Sequence, residues 1–299
     1  MIEILITSGK GGTGKTSFCY GLVNSLKKCA IADYDVDASN LHLVLKSEDI
    51  KKTPFSSSKK AKIKPGHCTA CGKCEEICQF GAISFDGPGN GKQKTTFKIN
   101  PMKCEGCGLC YHFCAENAIQ FEDVVNGNVI SSRTDFGPFV YGKLHVGESN
   151  SGKLVSEVKD RIKKKGENEH LEFLVSDGSP GLGCPVVASM TGANYAVIVT
   201  EPSVSGLHDL KRVFQLSGHF NVPCGIVVNK YDINKNMTEN IKDYALKNSI
   251  NYLGDIPYDR EFTKNLFEGK KNIIETDIGK RISEIKDNIL KDMKAKIII

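Results

Sequence analysis

Two runs of four cysteines constrain this chain more than any other feature of its sequence. Each run has the spacing C-x2-C-x2-C-x3-C, and the second run follows thirty-six residues after the first: Cys68, Cys71, Cys74 and Cys78, then Cys104, Cys107, Cys110 and Cys114. The flanking residues repeat at the same interval, as Gly72 and Gly108 do. Eight of the twelve cysteines therefore lie in one internally duplicated segment.

Four cysteines within eleven residues are spaced too closely for the separated C-x2-C pairs of most zinc sites, although zinc remains the main alternative to iron. Disulfides need an oxidising compartment, and the opening MIEILITSGKGG lacks the basic segment and cleavage site of a secretion signal. The spacing resembles that of bacterial ferredoxins, in which the fourth thiolate of each run ligates the other run's [4Fe-4S] cluster. The resemblance implies two ligand sets: Cys68, Cys71, Cys74 and Cys114, and Cys104, Cys107, Cys110 and Cys78.

A glycine-rich loop follows the first apolar run. Residues 2–7, IEILIT, predict a strand, and GKGGTGKT at residues 9–16 fits the phosphate-binding motif G-x-x-x-x-G-K-[ST]. We expect Lys15 to reach the β- and γ-phosphates and Thr16 to ligate Mg²⁺, while backbone N–H groups at the start of a helix bind phosphate oxygens. A glycine-rich turn without a ligand is the alternative. The expected nucleotide-binding residues are Gly9, Gly11, Gly12, Thr13, Gly14, Lys15, Thr16 and Ser17.

A second lysine in the loop, Lys10, makes the motif more specific. A lysine here marks the deviant Walker A form, and the chain resembles the MinD/ParA/Mrp superfamily of P-loop ATPases. The resemblance implies that the protein binds Mg-ATP as a homodimer and that Lys10 crosses the interface to the partner's nucleotide. Considered alone, Lys10 would be a solvated loop lysine.

Acidic residues after two further predicted strands match the same superfamily. Asp33 and Asp35 follow the apolar residues 29–32, and Asp177 follows residues 171–176. The resemblance implies that Asp35 orients the attacking water, that Asp33 supports the metal and that Asp177 holds Mg²⁺ through water. It also implies that the N–H of Gly181 senses the γ-phosphate. The expected catalytic residues are Lys10, Lys15, Asp35 and Asp177.

The expected base-binding residues lie near the end of the chain. Asn229 closes the apolar strand 224–228, at the edge where open α/β sheets bind ligands. In the superfamily an asparagine at this place binds adenine, and Pro257 and Tyr258 resemble a second loop beside the base. Glu201 also matches the superfamily pattern, with a structural role as the alternative.

Cys184 lies seven residues after Asp177. This spacing resembles that of the cysteine with which nitrogenase iron proteins, members of the same superfamily, hold a cluster between subunits. The second cysteine of that site has no counterpart here. We therefore expect Cys184 to be either a free thiol that faces the dimer axis and responds to nucleotide or a buried core cysteine.

Strand and helix patterns alternate over residues 1–50 and 153–299, which predicts an α/β protein with a parallel sheet and helices on both faces. We predict a P-loop NTPase domain of residues 1–60 and 124–299 with an inserted α+β ferredoxin-like domain of residues 61–123. Polar residues 51–64 suggest a linker, and residues 121–147 suggest several short strands. Residues 279–299 predict a helix, which either packs on the sheet or forms an amphipathic membrane-surface tail.

The formal net charge is +5, and we interpret the lysines of residues 51–64 as a solvated linker. We therefore expect no nucleic-acid partner. No apolar run reaches the roughly eighteen residues of a transmembrane helix, so we expect no membrane-spanning segment, and a membrane partner would depend on the tail alternative for residues 279–299. Free cysteines and exposed clusters indicate the reducing cytoplasm.

Three functions fit these motifs. The first, which we expect because it uses both chemistries, is an ATP-gated electron carrier that acts on a redox partner protein. The second is an iron–sulfur assembly carrier, which would need a C-x2-C pair that the chain lacks after Cys114. The third is a MinD-type positioning or regulatory switch with redox-sensing clusters.

Overall fold

The computed structural model describes residues 1–146, 151–268 and 275–296. By their internal contacts they form two compact units, Met1–Thr53 with Gly127–Ile299, and Pro54–Asn126. The described strands are β1 (Ile2–Ser8), β2 (Ala30–Asp33), β3 (Glu48–Ile63), β4 (Ile83–Gly87), β5 (Thr96–Ile99), β6 (Ile119–Thr134), β7 (Gly137–Leu144), β8 (Phe173–Pro180), β9 (Tyr195–Thr200), β10 (Cys224–Asn229) and β11 (Asn251–Ile256). The described α-helices are α1 (Lys15–Leu26), α2 (Leu41–Leu45), α3 (Lys73–Glu76), α4 (Leu109–His112), α5 (Ser151–Asn168), α6 (Cys184–Met190), α7 (Val204–His219), α8 (Lys235–Lys247), α9 (Arg260–Glu268) and α10 (Asp277–Lys296).

The first unit is built on a sheet with the strand order β11-β10-β9-β1-β8-β2-β7-β6-β3. The strands from β11 to β7 are parallel, and β6 returns antiparallel to β7. Their apolar residues are buried on both faces, as expected for parallel strands covered by helices. The α/β class with a mostly parallel sheet is thus confirmed. Parallel order also places the carboxyl ends of β1, β2, β8, β9, β10 and β11 along one edge, where ligands bind in such folds.

The last described helix, α10, packs on the first unit. Its apolar positions recur at helical spacing and are buried: Ile278, Ile282, Ile285, Ile289 and Met293. Ile282 packs against Gly21 of α1. A Cβ atom on Gly21 would lie 2.5 Å from the Ile282 side chain. Residues 279–299 were predicted to form either a helix packed on the sheet or a membrane-surface tail. The structure has the packed helix. The predicted segments 121–147 and 279–299 each end outside the described residues, at residue 147 and at residues 297–299.

The polar linker predicted for residues 51–64 is wrong. Residues 51–63 belong to β3, a long strand at the edge of the sheet, and most of its side chains are exposed. An edge strand with little buried surface needs no apolar alternation, and lysines on such a strand oppose edge-to-edge association. The several short strands predicted for residues 121–147 are likewise two longer ones, β6 and β7.

The second unit repeats its geometry as its sequence repeats. Helices α3 and α4 each follow a glycine with positive φ, Gly72 and Gly108. Two further positive-φ pairs recur at the same interval, Ala70 with Gly106 and Gly81 with Asn117. Strands β4 and β5 pair antiparallel. The duplication is therefore one of backbone conformation as well as of residue type.

None of the helices described for residues 1–146, 151–268 and 275–296 has the length and apolar character required to span a membrane.

Candidate functional site

The loop between β1 and α1 has the backbone that its glycines predict. Gly12 and Gly14 have φ of 81° and 87°, a region that residues with a side chain rarely adopt. A Cβ atom on Gly14 would lie 2.1 Å from Nδ2 of Asn229. Glycine at this position thus allows both the turn and the close approach of the β10 terminus. The hydroxyl of Thr13, in the same loop, is buried and has no hydrogen-bond partner among the described residues.

Lys15 and Thr16 begin α1 and converge on one carboxylate. Lys15 Nζ lies 2.6 Å from Asp177 Oδ1, and Thr16 Oγ1 donates to Asp177 Oδ2 at 2.7 Å. Burial alone would lower the pKa of Lys15, but the nearby carboxylates of Asp177, Asp33 and Asp35 raise it. Lys15 therefore keeps its positive charge in a buried position, as a phosphate-binding lysine requires.

Asp33 lies beside Asp177, because the two residues are register partners on adjacent strands β2 and β8. Asp33 is fully buried and accepts hydrogen bonds from Ser39 Oγ at 2.7 Å and from the N–H of Asp35 at 2.9 Å. Burial, together with the charge of Asp177, raises its pKa to about 7. A cation between these two carboxylates would relieve their repulsion.

Asp35 lies in the loop after β2 and is partly buried. Burial raises its pKa, which the charge of Lys15 partly offsets. Asp35 lines the same cavity as Lys15 and Thr16. It therefore faces the space in front of the phosphate-binding loop, where a water-orienting group is needed.

The expected base-binding residues approach the same loop from β10 and β11. Asn229 Nδ2 donates to the carbonyl of Thr13 at 2.8 Å. The N–H of Tyr258 donates to Asp232 at 2.7 Å, and its hydroxyl accepts from Arg260 Nε at 3.1 Å. These contacts fix the ends of two strands beside the loop.

These residues surround a cavity of about 1020 Å³, large enough for a nucleotide. Most of the predicted residues line it: Lys10, Gly11, Gly12, Thr13, Gly14, Lys15, Thr16, Ser17, Asp35, Asn229, Pro257 and Tyr258. Four predicted residues are not among those lining it: Gly9, Asp33, Asp177 and Gly181. Asp33 is instead buried at the end of β2, and Asp177 is buried within β8. Gly181 N–H donates to the carbonyl of Ser8 at 3.0 Å, so that group is engaged within the chain.

Lys10 is held by residues that follow β9. Its ammonium lies 2.6 Å from Glu201 Oε1 and donates to Ser205 Oγ at 3.0 Å. The second oxygen of Glu201 lies 3.5 Å from Nζ of Lys230, which donates to the carbonyl of Gly12 at 3.0 Å. Burial would raise the pKa of Glu201, but the hydrogen bond and charge of Lys10 and the charge of Lys230 lower it overall.

The sequence interpretation missed several residues that order this site. Ser179 donates to the carbonyl of Tyr34 at 2.6 Å, and Tyr34 N–H donates to the carbonyl of Asp177 at 2.8 Å. These bonds join Tyr34, which follows β2, to the second half of β8. Ser39 lies between β2 and α2, where serine is a common local signal, and Ser179 lies within β8; neither position reveals the distant partner.

The eight clustered cysteines line two small cavities in the second unit. One cavity contains Cys68, Cys71, Cys74 and Cys114, and the other contains Cys78, Cys104, Cys107 and Cys110. Each thus combines three cysteines of one run with the last cysteine of the other, the grouping that the ferredoxin resemblance implies. The N–H groups of Ala82 and Ala118 point at Sγ of Cys78 and Cys114, at 3.4 and 3.3 Å.

Within the described parts of the chain, no group of three or more His, Cys, Asp or Glu side chains is close enough together to hold a metal ion. The clustered cysteines line the two cavities without forming such a group. Burial, reinforced by neighbouring thiols, raises the pKa of Cys74 to about 11. Burial also raises the pKa of Cys110.

Cys184 is exposed and begins α6, next to Gly152 of α5. The expectation of a buried core cysteine at this position is therefore wrong. The proline that follows it, Pro185, occupies the first turn of α6 and lines the nucleotide-sized cavity.

The fold and this loop geometry define a P-loop nucleotide-binding protein. Residues 4–273 match the model of the CobQ/CobB/MinD/ParA nucleotide binding domain, and because this match spans most of the chain, the protein belongs to that family. The predicted relation to MinD and ParA is therefore confirmed.

Two proteins of Methanocaldococcus jannaschii are similar along most of their length. Uncharacterized protein MJ0578 is 34% identical over 260 residues, which cover 86% of this chain and 87% of that protein. Uncharacterized protein MJ0579 is 29% identical over 295 residues, covering 97% and 98%.

Solved structures of MinD share the fold. The septum site-determining protein MinD of Pyrococcus horikoshii, complexed with Mg-ADP, aligns with a TM-score of 0.58 at 18% identity, covering 100% of this chain and 99% of that chain. The cell division ATPase MinD of Pyrococcus furiosus aligns with a TM-score of 0.56 at 19% identity, covering 97% and 98%. At such low identity the likeness concerns the fold alone.

Proposed function

We propose that this protein is a Mg²⁺-dependent ATPase that couples an ATP-driven homodimer switch to electron transfer through two [4Fe-4S] clusters. One observation carries the proposal: the eight clustered cysteines line two separate cavities, each with three thiols of one run and one of the other. Such crossed sets of four thiolates are those of two-cluster ferredoxins. The inserted domain would span residues 61–123 within the P-loop domain.

The cysteines that line the cavities are the type of ligand that such clusters take. Each cavity offers four sulfur ligands, and the bonds from Ala82 and Ala118 to thiol sulfurs are of the kind that tunes a cluster. When bound, each cluster would accept and donate single electrons. Exposed aromatic side chains, such as Phe113, leave this unit accessible to a redox partner protein.

The nucleotide site provides separate groups for binding and for hydrolysis. In this proposal Lys15 binds the β- and γ-phosphates. It must give up its contact with Asp177 to do so. Thr16 and Asp177, already paired, would hold Mg²⁺ with support from Asp33. Asp35 would orient water for attack on the γ-phosphate, and Asn229 would bind the adenine.

Lys10 has the role of joining two subunits. In this proposal it contacts the nucleotide of the partner subunit, and Gly181 contacts the γ-phosphate once its bond to Ser8 is exchanged. ATP would then hold the dimer and hydrolysis would release it. The attraction between a lysine charge and a triphosphate is far stronger in a closed interface than in water.

The two alternative functions have less support. A carrier that bridges a labile cluster between subunits needs a paired cysteine motif, whereas the cysteines outside the two runs are the exposed Cys184 and the buried Cys19, Cys29 and Cys224, none of which form a C-x2-C pair. A MinD-type switch on membranes needs a free amphipathic tail, whereas the apolar face of α10 is packed.

The experiment is to follow the oligomeric state of the anaerobic protein by sedimentation with and without Mg-ATP. In the Asp35→Ala variant, which should bind ATP but hydrolyse it slowly, we expect a stable dimer with ATP and a monomer with ADP. Adding Lys10→Ala should abolish the dimer. A monomeric Asp35→Ala variant at saturating Mg-ATP would contradict the proposed switch.

A further inference from the structure

The contacts of Lys10 within its own chain are complete. An ammonium group has three N–H donors. Lys10 Nζ has three acceptors at hydrogen-bonding distance: Glu201 Oε1 at 2.6 Å, Ser205 Oγ at 3.0 Å and Ser203 Oγ at 3.5 Å. A lysine that is to bind a phosphate of another subunit must give up this set.

The acceptors are held in place by their own local structure. Ser203 caps α7 by accepting from the N–H of Gly206 at 3.0 Å. A Cβ atom on Gly206 would lie 2.3 Å from the carbonyl of Glu201, so the turn from β9 into α7 is tight. Glu201 therefore has a fixed position at the end of a central strand.

The carboxylate of Glu201 also joins Lys10 to a second cation. Its other oxygen faces Lys230, which in turn donates to the carbonyl of Gly12. Lys10 and Gly12 belong to the same phosphate-binding loop, so one carboxylate secures this loop at two points. The side chains of Lys10 and Glu201 are 30% and 24% exposed, so water weakens their attraction only in part.

We propose that Glu201 is a positioning residue that retains Lys10 within its own subunit and thereby sets the ATP concentration at which two subunits associate. The inference rests on the proposed function, because it takes the destination of Lys10 to be the partner's nucleotide. Association must break the contact between Lys10 and Glu201, so the free energy of that contact is subtracted from the free energy of dimerisation. A weaker contact therefore favours the dimer.

The test uses Glu201→Gln, which keeps the shape of the side chain and removes its charge. In full-length anaerobic protein carrying Asp35→Ala, the Mg-ATP concentration at half-dimerisation should fall about two- to fivefold. Ser205→Ala, at an exposed position, should lower it by a smaller factor. The matched control is Glu239→Gln, which removes a carboxylate from an exposed ion pair with Lys242 on α8 and should change nothing.

Nucleotide affinity separates this role from a structural one. The affinity of the monomer for Mg-ATP is measured at protein concentrations too low for association. It should be the same in the Glu201→Gln variant as in the protein that keeps Glu201. In a Lys10→Ala background, which abolishes the dimer, Glu201→Gln should not restore dimerisation, because the group it releases is gone.

Three results would count against these ideas in distinguishable ways. The first result is that Glu201→Gln leaves the Mg-ATP concentration at half-dimerisation unchanged or raises it, while the protein that keeps Glu201 forms the ATP-dependent dimer. That result would overturn the retention of Lys10. So would a lower midpoint fully explained by tighter binding of Mg-ATP to the monomer. A protein that binds Mg-ATP and stays monomeric whichever residue occupies position 201 would overturn the proposed function itself.

Discussion

The two units of this protein differ in what holds them together. The first has an extended core in which buried strands and helices contact one another, from Ile4 and Ile6 on β1 to Ile285 and Ile289 on α10. The core cluster of the second consists of Ala61, Ile63, Ile83, Phe97 and Ile119, with six of the eight clustered cysteines packed against it. Domains of this size rarely fold on so small an apolar core without disulfides or metals.

The comparison extends to the polar groups of each unit. In the first unit Asp177 and Asp33 each have partners from the same chain, so the nucleotide site is ordered by the polypeptide itself. In the second unit, burial disfavours the thiolate form of Cys74, whose pKa is raised to about 11. A cation in the cavity would reverse that preference, because metal-bound thiols are deprotonated. The nucleotide site of the first unit is thus ordered by contacts within the chain, whereas under the proposed function the second unit would be organised by its clusters.

The largest expected effect follows from removing iron. Stripping the clusters with a chelator and an oxidant should raise backbone hydrogen exchange of residues 54–126 by about 100-fold or more, because the small core cannot hold the unit alone. Strands β1, β8 and β9 should keep their protection and serve as the internal control. Equal protection of residues 54–126 before and after stripping would show that the comparison is wrong.

Lys15→Ala should produce the next largest effect, within the first unit. It removes the buried cation beside Asp177, and we expect the dissociation constant for Mg-ATP, measured by calorimetry, to rise about 100-fold or more. Lys98→Ala, which removes an exposed lysine paired with Asp86, is the matched control and should leave binding unchanged. The iron content should be the same in both variants. Nucleotide binding that survives Lys15→Ala would place the phosphates elsewhere.

Asn229→Ala should have an intermediate effect. We expect about tenfold weaker ATP binding and little change for GTP, since one hydrogen bond to the base is lost. Asn240→Ala, at an exposed site on α8, provides the comparison. Equal losses for ATP and GTP would instead mean that Asn229 acts through its bond to Thr13 and not on the base.

The smallest expected effect concerns pH in protein free of nucleotide and magnesium. The pKa of Asp33 is raised from 3.8 to about 7, so between these values the folded protein binds a proton that the unfolded chain does not. The contribution of Asp33 to the free energy of unfolding should therefore fall as pH rises from about 4 to 7. Thermal melts should show this slope in the unsubstituted protein and a weaker slope in Asp33→Asn. Parallel slopes would contradict the assignment to Asp33.

Local sequence patterns were sufficient for much of the first unit. The loop at residues 9–16 needs glycines at fixed positions for its backbone, and the short apolar runs before Asp33 and Asp177 indicate the buried strands β2 and β8. Both constraints act over a few residues, so they are visible in the sequence. The strand β3 is not visible in the sequence, because an exposed edge strand has no apolar alternation to reveal it.

Contacts between distant residues could not be predicted. Lys10 meets Glu201, and Asn229 meets Thr13, only because the parallel sheet brings the ends of β1, β9 and β10 together. Side-chain direction at such a junction depends on packing on both sides of the sheet. The motif thus identifies Lys10 as a special residue, and only the folded chain shows which partner holds it.

The central claim is that the two cysteine-lined cavities hold [4Fe-4S] clusters, and metal and sulfide analysis of anaerobically purified protein tests it most directly. We predict about eight iron atoms and eight acid-labile sulfides per chain, falling to about four of each in Cys114→Ser, with the cavity of Cys104, Cys107, Cys110 and Cys78 still filled. Stoichiometric zinc with little iron and no sulfide would contradict the claim.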